Sequence, residues 1–251
     1  DIKIIYSPLE ALELAKKNET VLAGIGFETT IPGIAQTIML AKKQNITNFS
    51  VLPAFKTVPM ALRVLMNDKD VKLDGFLLPG HVSIITGLDM YNFITEEYKK
   101  SGVVAGFEPY DVLHAIKSLM LMKKNKNPQI TNEYTRVVKN SGNIIAQKII
   151  DEVLEPIDVI WRGLGTIPNS GLSIRKKFED FDASKKYNID LTKEGEEITG
   201  CQCGDVLKGK IIPPSCKLFG EVCNPSNPIG PCMVSSEGSC AAYYKYEDYE
   251  K

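Results

Sequence analysis

The chain has 251 residues, of which 43% are hydrophobic and 24% charged, and its net charge is −1. That is material for one large domain or two smaller ones with a real core. The balanced charge removes any bulk electrostatic case for nucleic acid or an anionic membrane as partner, and no apolar run approaches the ~20 residues that span a bilayer.

Residues 1–125 alternate between apolar strands and amphipathic helices. KIIYS (3–7) reads as a short strand and PLEALELAKKN (8–18) as a helix, with Pro8 in the first turn where it is best tolerated. TVLAGIGF (20–27), FSVLPAF (49–55), DGFLLPG (74–80) and GVVAGFEP (102–109) read as further strands. TTIPGIAQTIMLAKKQ (29–44), VPMALRVLMNDKD (58–70), LDMYNFITEEYKK (88–100) and YDVLHAIKSLMLMKK (110–124) have helical periodicity, and GHVS (80–83) reads as a turn. The expected fold class is therefore α/β, a parallel sheet flanked by helices.

Residues 126–198 are expected to pack beside this domain. KNKNPQITNEY (124–134) reads as a loop, and SGNIIAQKIIDEVLEP (141–156) as a helix that Pro156 ends. IDVIWRGLGTIPNSGLSIRKKF (157–178) starts strand-like and turns Gly/Pro-rich. KFEDFDASKKYNIDLTKEGEE (177–197) is a charged surface stretch, and residues 199–251 form a small cysteine-rich module.

All six cysteines stand in that module, spaced C-x-C-x12-C-x6-C-x8-C-x7-C from Cys201 to Cys240. The start, DIKIIYSPLEALELAKKNE, lacks the basic and apolar regions of a signal peptide, so a reducing cytoplasm is the expected compartment. There, clustered thiols read as metal-binding or redox-active before they read as structural disulfides. The spacing fits neither a zinc ribbon, which needs CxxC knuckles, nor a ferredoxin. A four-iron cluster would leave two thiols over, and these could form a redox dithiol; the spacing does not say which two.

Ligands of doubly wound α/β folds bind at the carboxyl ends of the strands. Three loops there pair glycine with a group that can bond or titrate: GFETT (26–30), PGHVS (79–83) and GFEP (106–109). They offer Glu28, Thr29, Thr30, His81, Ser83 and Glu108. Glu28 and Thr29 could equally cap the next helix, and His81 could be a packed side chain. His114, inside a helix, reads as structural. WRGLGTIPNSG (161–171) offers Arg162 either as an anion or partner contact or as part of a tight turn.

GFETT, LPGHVS, GFEP, WRGLG-x-IP-x-SG, CxCG-x-VLKG, P-x-C-x-LFG and GPCMVSSEGSCAAYYKY together resemble the hydrogenase maturation protein HypD family over essentially the whole chain. The resemblance implies an assembly scaffold with redox activity rather than a turnover enzyme. On it the iron of [NiFe]-hydrogenase would receive its cyanide and carbon monoxide ligands, with HypC-type chaperone and HypE-type cyanide-donor partners. It further implies one [4Fe–4S] cluster and a neighbouring dithiol. Members of that family begin with an N-terminal domain bearing a CGTH motif and a CxxC pair. This sequence has neither, so it is expected to correspond to the second α/β domain and the cluster domain.

With that resemblance, Cys201, Cys216, Cys223 and Cys240 are expected to bind the cluster, and Cys203 with Cys232 to form the pair. An extended C-x-C would send its two side chains apart, and Gly230 and Pro231 suit a turn at Cys232. His81 and Glu28 become candidates for proton transfer, or for hydrogen bonds to the ligands on iron, with Thr29, Thr30, Ser83, Glu108 and Arg162 around them. The competing readings are a ferredoxin:thioredoxin-reductase-like disulfide reductase and a zinc-stabilised interaction module.

Overall fold

The structure is a computed structural model and describes residues 1–71, 73–190 and 200–247. It divides into two compact units: Asp1–Arg63 with Asp74–Val159 and Pro168–Leu191, and Val64–Leu73 with Ile160–Ile167 and Thr192–Lys251. The start of the cysteine-rich module at residue 199, and residues 191–197 of the charged stretch, lie outside the described residues.

In the first unit, helix α1 (Pro8–Ala15) opens with a reciprocal cap. The Leu9 N–H donates to Ser7 Oγ, and the Ser7 N–H donates to Glu10 Oε1 at 2.9 Å. KIIYS is not a strand: Ile4 and Tyr6 are exposed, and their alternation has no sheet to join. Strand β1 (Thr20–Gly26), helix α2 (Ile31–Lys43), strand β2 (Phe49–Lys56) and helix α3 (Val58–Asn67) follow as the periodicity predicts. Strand β3 (Gly75–Pro79) runs straight into helix α4 (Gly80–Thr86), where a turn was expected. A 3-10 turn (Asp89–Tyr91) and helix α5 (Asn92–Glu96) share the span expected to form one helix. Strand β4 (Ser101–Ala105) and helix α6 (Pro109–Lys124) complete the alternation.

The expected loop 124–134 contains strand β5 (Ile130–Asn132), too short and polar to read from periodicity. Helix α7 (Ile144–Val153) ends at Val153, and Pro156 sits inside strand β6 (Leu154–Trp161), so the proline does not itself end the helix. Strand β7 (Gly165–Ile174), a 3-10 turn (Lys176–Phe181) and helix α8 (Ala183–Lys186) follow.

The strands form two sheets, in the orders β1-β2-β7-β6 and β3-β4-β5. β1 and β2 are parallel, with Thr20 opposite Phe49 and Gly26 opposite Phe55, and the whole β3-β4-β5 sheet is parallel. β7 joins β2 antiparallel at Phe55 opposite Leu172, so the first sheet is mixed. The single parallel sheet expected from the alternation is thus corrected to two. β6 and β7 are joined by residues 162–164 alone, too short for the crossover that a parallel neighbour needs.

Helix α2 buries Ile31, Ile34, Ile38 and Ala41, at helical spacing, against Phe49, Val51 and Phe55 of β2. Each of the isoleucine, valine and phenylalanine side chains contributes roughly 1.5–3 kcal/mol on leaving water. β4 is buried along its whole length, as a central strand covered on both faces must be.

Besides the parts of α3, β6 and β7 that fall in it, the second unit carries, among its described residues, the short helices α9 (Cys203–Leu207), α10 (Pro231–Val234) and α11 (Ser239–Tyr246) and a 3-10 turn at Pro213–Ser215. Its core is built from the cysteines themselves, packed with Val206, Phe219, Met233 and Ala241. Among the described residues no helix is long and apolar enough to cross a membrane.

Candidate functional site

Chemistry-bearing groups gather in one place within each unit. In the second, all six cysteines line a single narrow void, closed by Leu218, Phe219 and Met233. All six are free thiols; Cys201 is half-buried and the others are buried. The segment from Cys201 to Cys203 is not extended: Gln202 has φ −107° and ψ 27°, and Cys203 begins α9. The two side chains therefore face the same void instead of diverging. Cys232 lies in the first turn of α10, not in a free turn. Both changes follow from short helices replacing the expected extended chain and carrying two thiols to one side.

The Cys203 thiol is hydrogen-bonded to Cys232, and this bond is the main cause of opposite shifts: the Cys203 proton is held more tightly, and the Cys232 thiol becomes more acidic. Burial pushes Cys201 and Cys240 up to about 11. Cys223 Sγ accepts the Ile229 N–H at 3.4 Å, a contact that favours the charged form of the sulfur over the neutral one. Among the described residues, no three His, Cys, Asp or Glu side chains are arranged around a single-ion position. The thiols ring a space and do not converge on a point.

A wider, open cleft of about 540 Å³ lies beside this void and reaches Cys201 and Cys203. Its walls carry Arg162, Gln202, Asp205 and Lys208. Lys208 is committed to Asp68 at 3.0 Å, whereas the charge of Arg162 acts on Cys203. Close approach at its rim depends on glycine: a Cβ at Gly230 would lie 2.5 Å from Cys201 Sγ, and one at Gly163 3.2 Å from Cys203 Sγ.

In the first unit, Glu28 follows β1 and is 5% exposed. Glu28 Oε1 accepts the Val58 N–H at 2.8 Å, which caps α3 and not the next helix α2; Glu28 Oε2 is buried without a partner. Burial raises the Glu28 pKa against the opposing pull of the Val58 N–H. Ser83, fully buried in α4, donates to Pro79 O at 2.9 Å and lies 3.3 Å from the Tyr91 hydroxyl. Burial pushes Tyr91 up to about 12; the Ser83 hydrogen bond opposes this, and the nearby Glu28 charge adds to it. Glu28, Tyr91 and Ser83 thus occupy one buried neighbourhood.

His81, two residues before Ser83, stacks on Phe107 at 5.1 Å, and its Nδ1 is buried without a partner. Phe107 adjoins Glu108, which is exposed at the amino end of α6. The Thr30 hydroxyl donates to Phe27 O, and Thr29 is half-buried between Glu28 and Thr30. His114 pairs with Glu133 at 3.0 Å on α6. Tyr91 and Phe107 were not legible as site residues, since a lone aromatic in an apolar run signals core. Gln202 and Lys208 were hidden for the opposite reason, as ordinary polar residues between cysteines.

The model of the HypD family, described as the hydrogenase formation hypA family, matches residues 1–247. The hydrogenase maturation factor HypD of Rhodobacter capsulatus is 44% identical over 253 residues, which cover 98% of this chain and 67% of the relative. That of Escherichia coli K12 is 41% identical over 254 residues, covering 100% of this chain and 68% of the relative. That of Cupriavidus necator is 41% identical over 256 residues, covering 98% and 67%. The family match spans both units and every motif described above, and the chain belongs to the HypD family.

Proposed function

We propose that this protein is a hydrogenase maturation factor, a scaffold on which an iron ion receives cyanide and carbon monoxide ligands, working with HypC-type and HypE-type partners. The observation that carries this reading is the ring of six free thiols around one void in a chain of this family. The ring suits a [4Fe–4S] cluster better than zinc, because a single ion needs its donors within ~2.3 Å of one point and a cluster has a body to surround. Cys201, Cys216, Cys223 and Cys240 would hold the cluster, which when bound supplies one-electron chemistry.

Cys203 and Cys232 form the dithiol, their sulfurs already in hydrogen-bond contact. Closing them to a disulfide releases two electrons and the protons they carry, and reopening takes these back. In the other unit, Glu28 Oε2 and His81 Nδ1 are buried polar atoms with unused bonding capacity. Such atoms cost free energy unless something bonds them. They serve as hydrogen-bond and proton-transfer groups toward the diatomic ligands of the iron substrate, while Tyr91 and Ser83 keep their surroundings dry and fixed.

The test is metal content and maturation together. Anaerobically prepared chain is expected to be brown, with about four iron and four sulfide per chain. In cells dependent on the gene, His81→Ala and Glu28→Gln are expected to abolish hydrogenase maturation while leaving iron content unchanged. Stoichiometric zinc, or full maturation by both variants, would overturn the reading.

A further inference from the structure

We infer that the outward face of α6 is a docking surface for an acidic amphipathic helix of a protein partner. The inference is independent of the iron–sulfur reading, because α6 belongs to the first unit. One face of the helix is accounted for: Ala115, Leu119 and Met122 pack with Val103 and Ala105 of β4. A surface helix ordinarily turns polar residues outward. This one exposes Tyr110, Leu113 and Met120, by 73%, 66% and 67%, with Ile116 and Leu121 exposed beside them. Single exposed apolar side chains are ordinary, but a contiguous apolar stripe marks an interaction site.

The stripe has the form of a helix seam. Tyr110, Leu113, Lys117, Met120 and Lys124 follow one another at alternating steps of three and four residues, the spacing into which a second helix packs. A groove of about 490 Å³ lies on it, lined by Leu113, Ile116, Lys117, Met120, Leu121 and Lys124. At its head the Tyr110 ring lies 5.5 Å from that of His114, whose Nδ1 is 3.0 Å from Glu133. An aromatic side chain already held in place costs little to immobilise and serves as an anchor.

Charge selects the occupant. The one carboxylate of α6, Asp111, is buried and taken by Arg136. Asp74 holds Lys123 at 2.8 Å. Lys117 and Lys124 remain, both exposed in the groove wall. Glu108, before the first turn, is separated from Lys117 by about 13 Å of helix, beyond the reach of a screened surface charge. A lysine at a seam position attracts a carboxylate opposite it and repels a cation. A second copy of this chain, laid seam to seam in either direction about Lys117, would set Lys117 against Lys117. The partner helix therefore carries apolar residues at the same spacing and Asp or Glu opposite Lys117 and Lys124.

The test uses the whole chain and two fluorescent synthetic helical peptides with one leucine seam, differing only in glutamate or lysine at the polar positions beside it. Fluorescence anisotropy is expected to show the glutamate peptide binding about tenfold tighter. Lys117→Glu with Lys124→Glu is expected to reverse that preference, and Leu113→Gln with Met120→Gln to abolish binding of both peptides. All four positions are exposed, and far-UV circular dichroism checks that the variants keep the fold. Equal binding of the two peptides, or glutamate-peptide binding that survives Leu113→Gln with Met120→Gln, would overturn the inference. So would a dimer in sedimentation, or binding to phosphatidylglycerol vesicles, that the same pair of substitutions removes: the face would then belong to a second copy or to a membrane.

Discussion

The Glu28 carboxylate accepts the Val58 backbone N–H at 2.8 Å, so a loop after β1 caps a helix that begins thirty residues later. One oxygen is used and the other is buried without a partner. A structural cap and a candidate proton-transfer group therefore share one side chain, and substitutions can separate the two duties. Glu28→Gln keeps an oxygen for Val58 and should cost under about 1 kcal/mol of folding stability. Glu28→Ala strips the cap and should cost about 1–3 kcal/mol. Urea unfolding of both variants checks this; equal costs would show that the carboxylate does not cap.

The same residue sets a pH dependence. Burial raises the Glu28 pKa above its ordinary value of 4.5. A raised acid is still neutral in the folded chain when it has already ionised in the unfolded one. Stability is therefore lost as pH climbs above 4.5 toward the folded pKa, where the loss levels off. Glu28→Gln does not ionise, so its stability relative to the parent should improve as pH rises from 4 to 7. A flat difference across that range would contradict the burial argument.

Gly230 has φ −97° and ψ 157°, which any residue adopts, so Gly230→Ala should not strain the backbone. Its new Cβ would nevertheless lie 2.5 Å from Cys201 Sγ and push that sulfur aside. The expected outcome is a chain with unchanged far-UV circular dichroism and a marked loss of bound iron. Full iron content would remove Cys201 from the proposed ligands.

In metal-free, reduced chain the thiol ring should fail in alkali. Burial raises Cys201 and Cys240 from 9.0 to about 11. Both stay neutral in the fold after their unfolded counterparts ionise, so the module loses stability as pH passes 9 and continues losing it to about 11. Phe219 lies edge-on to Tyr243 in this core, so near-UV circular dichroism between pH 8 and 11 reports the change. Retained tertiary signal at pH 11 would show that these thiols are not held neutral.

Removing the Tyr91 hydroxyl isolates the contribution of the buried network. Tyr91→Phe keeps the ring, which is fully buried, and removes the contact with Ser83. The expected cost is about 0.5–1.5 kcal/mol, against about 3–5 kcal/mol for Tyr91→Ala, which also leaves a cavity. Denaturant midpoints compare the two.

By itself the sequence determined the local order. The apolar runs of β1 to β4 and the periodicity of α2 and α6 are strong local signals, because burying one face dictates them. The cysteine spacing marked a thiol-rich module for the same reason: residue type alone sets its chemistry. Tertiary structure decided what each signal joins. KIIYS has strand character but no neighbour; Ile130–Asn132 has almost none, yet completes a parallel sheet beside β4. Glu28 caps α3 because the parallel register brings the end of β1 beside the end of β2. Cys201 and Cys203 face one void because Gln202 turns the chain where spacing suggested extension. Pairing, capping across loops and side-chain convergence depend on contacts between residues distant in the chain, and local preference does not encode them.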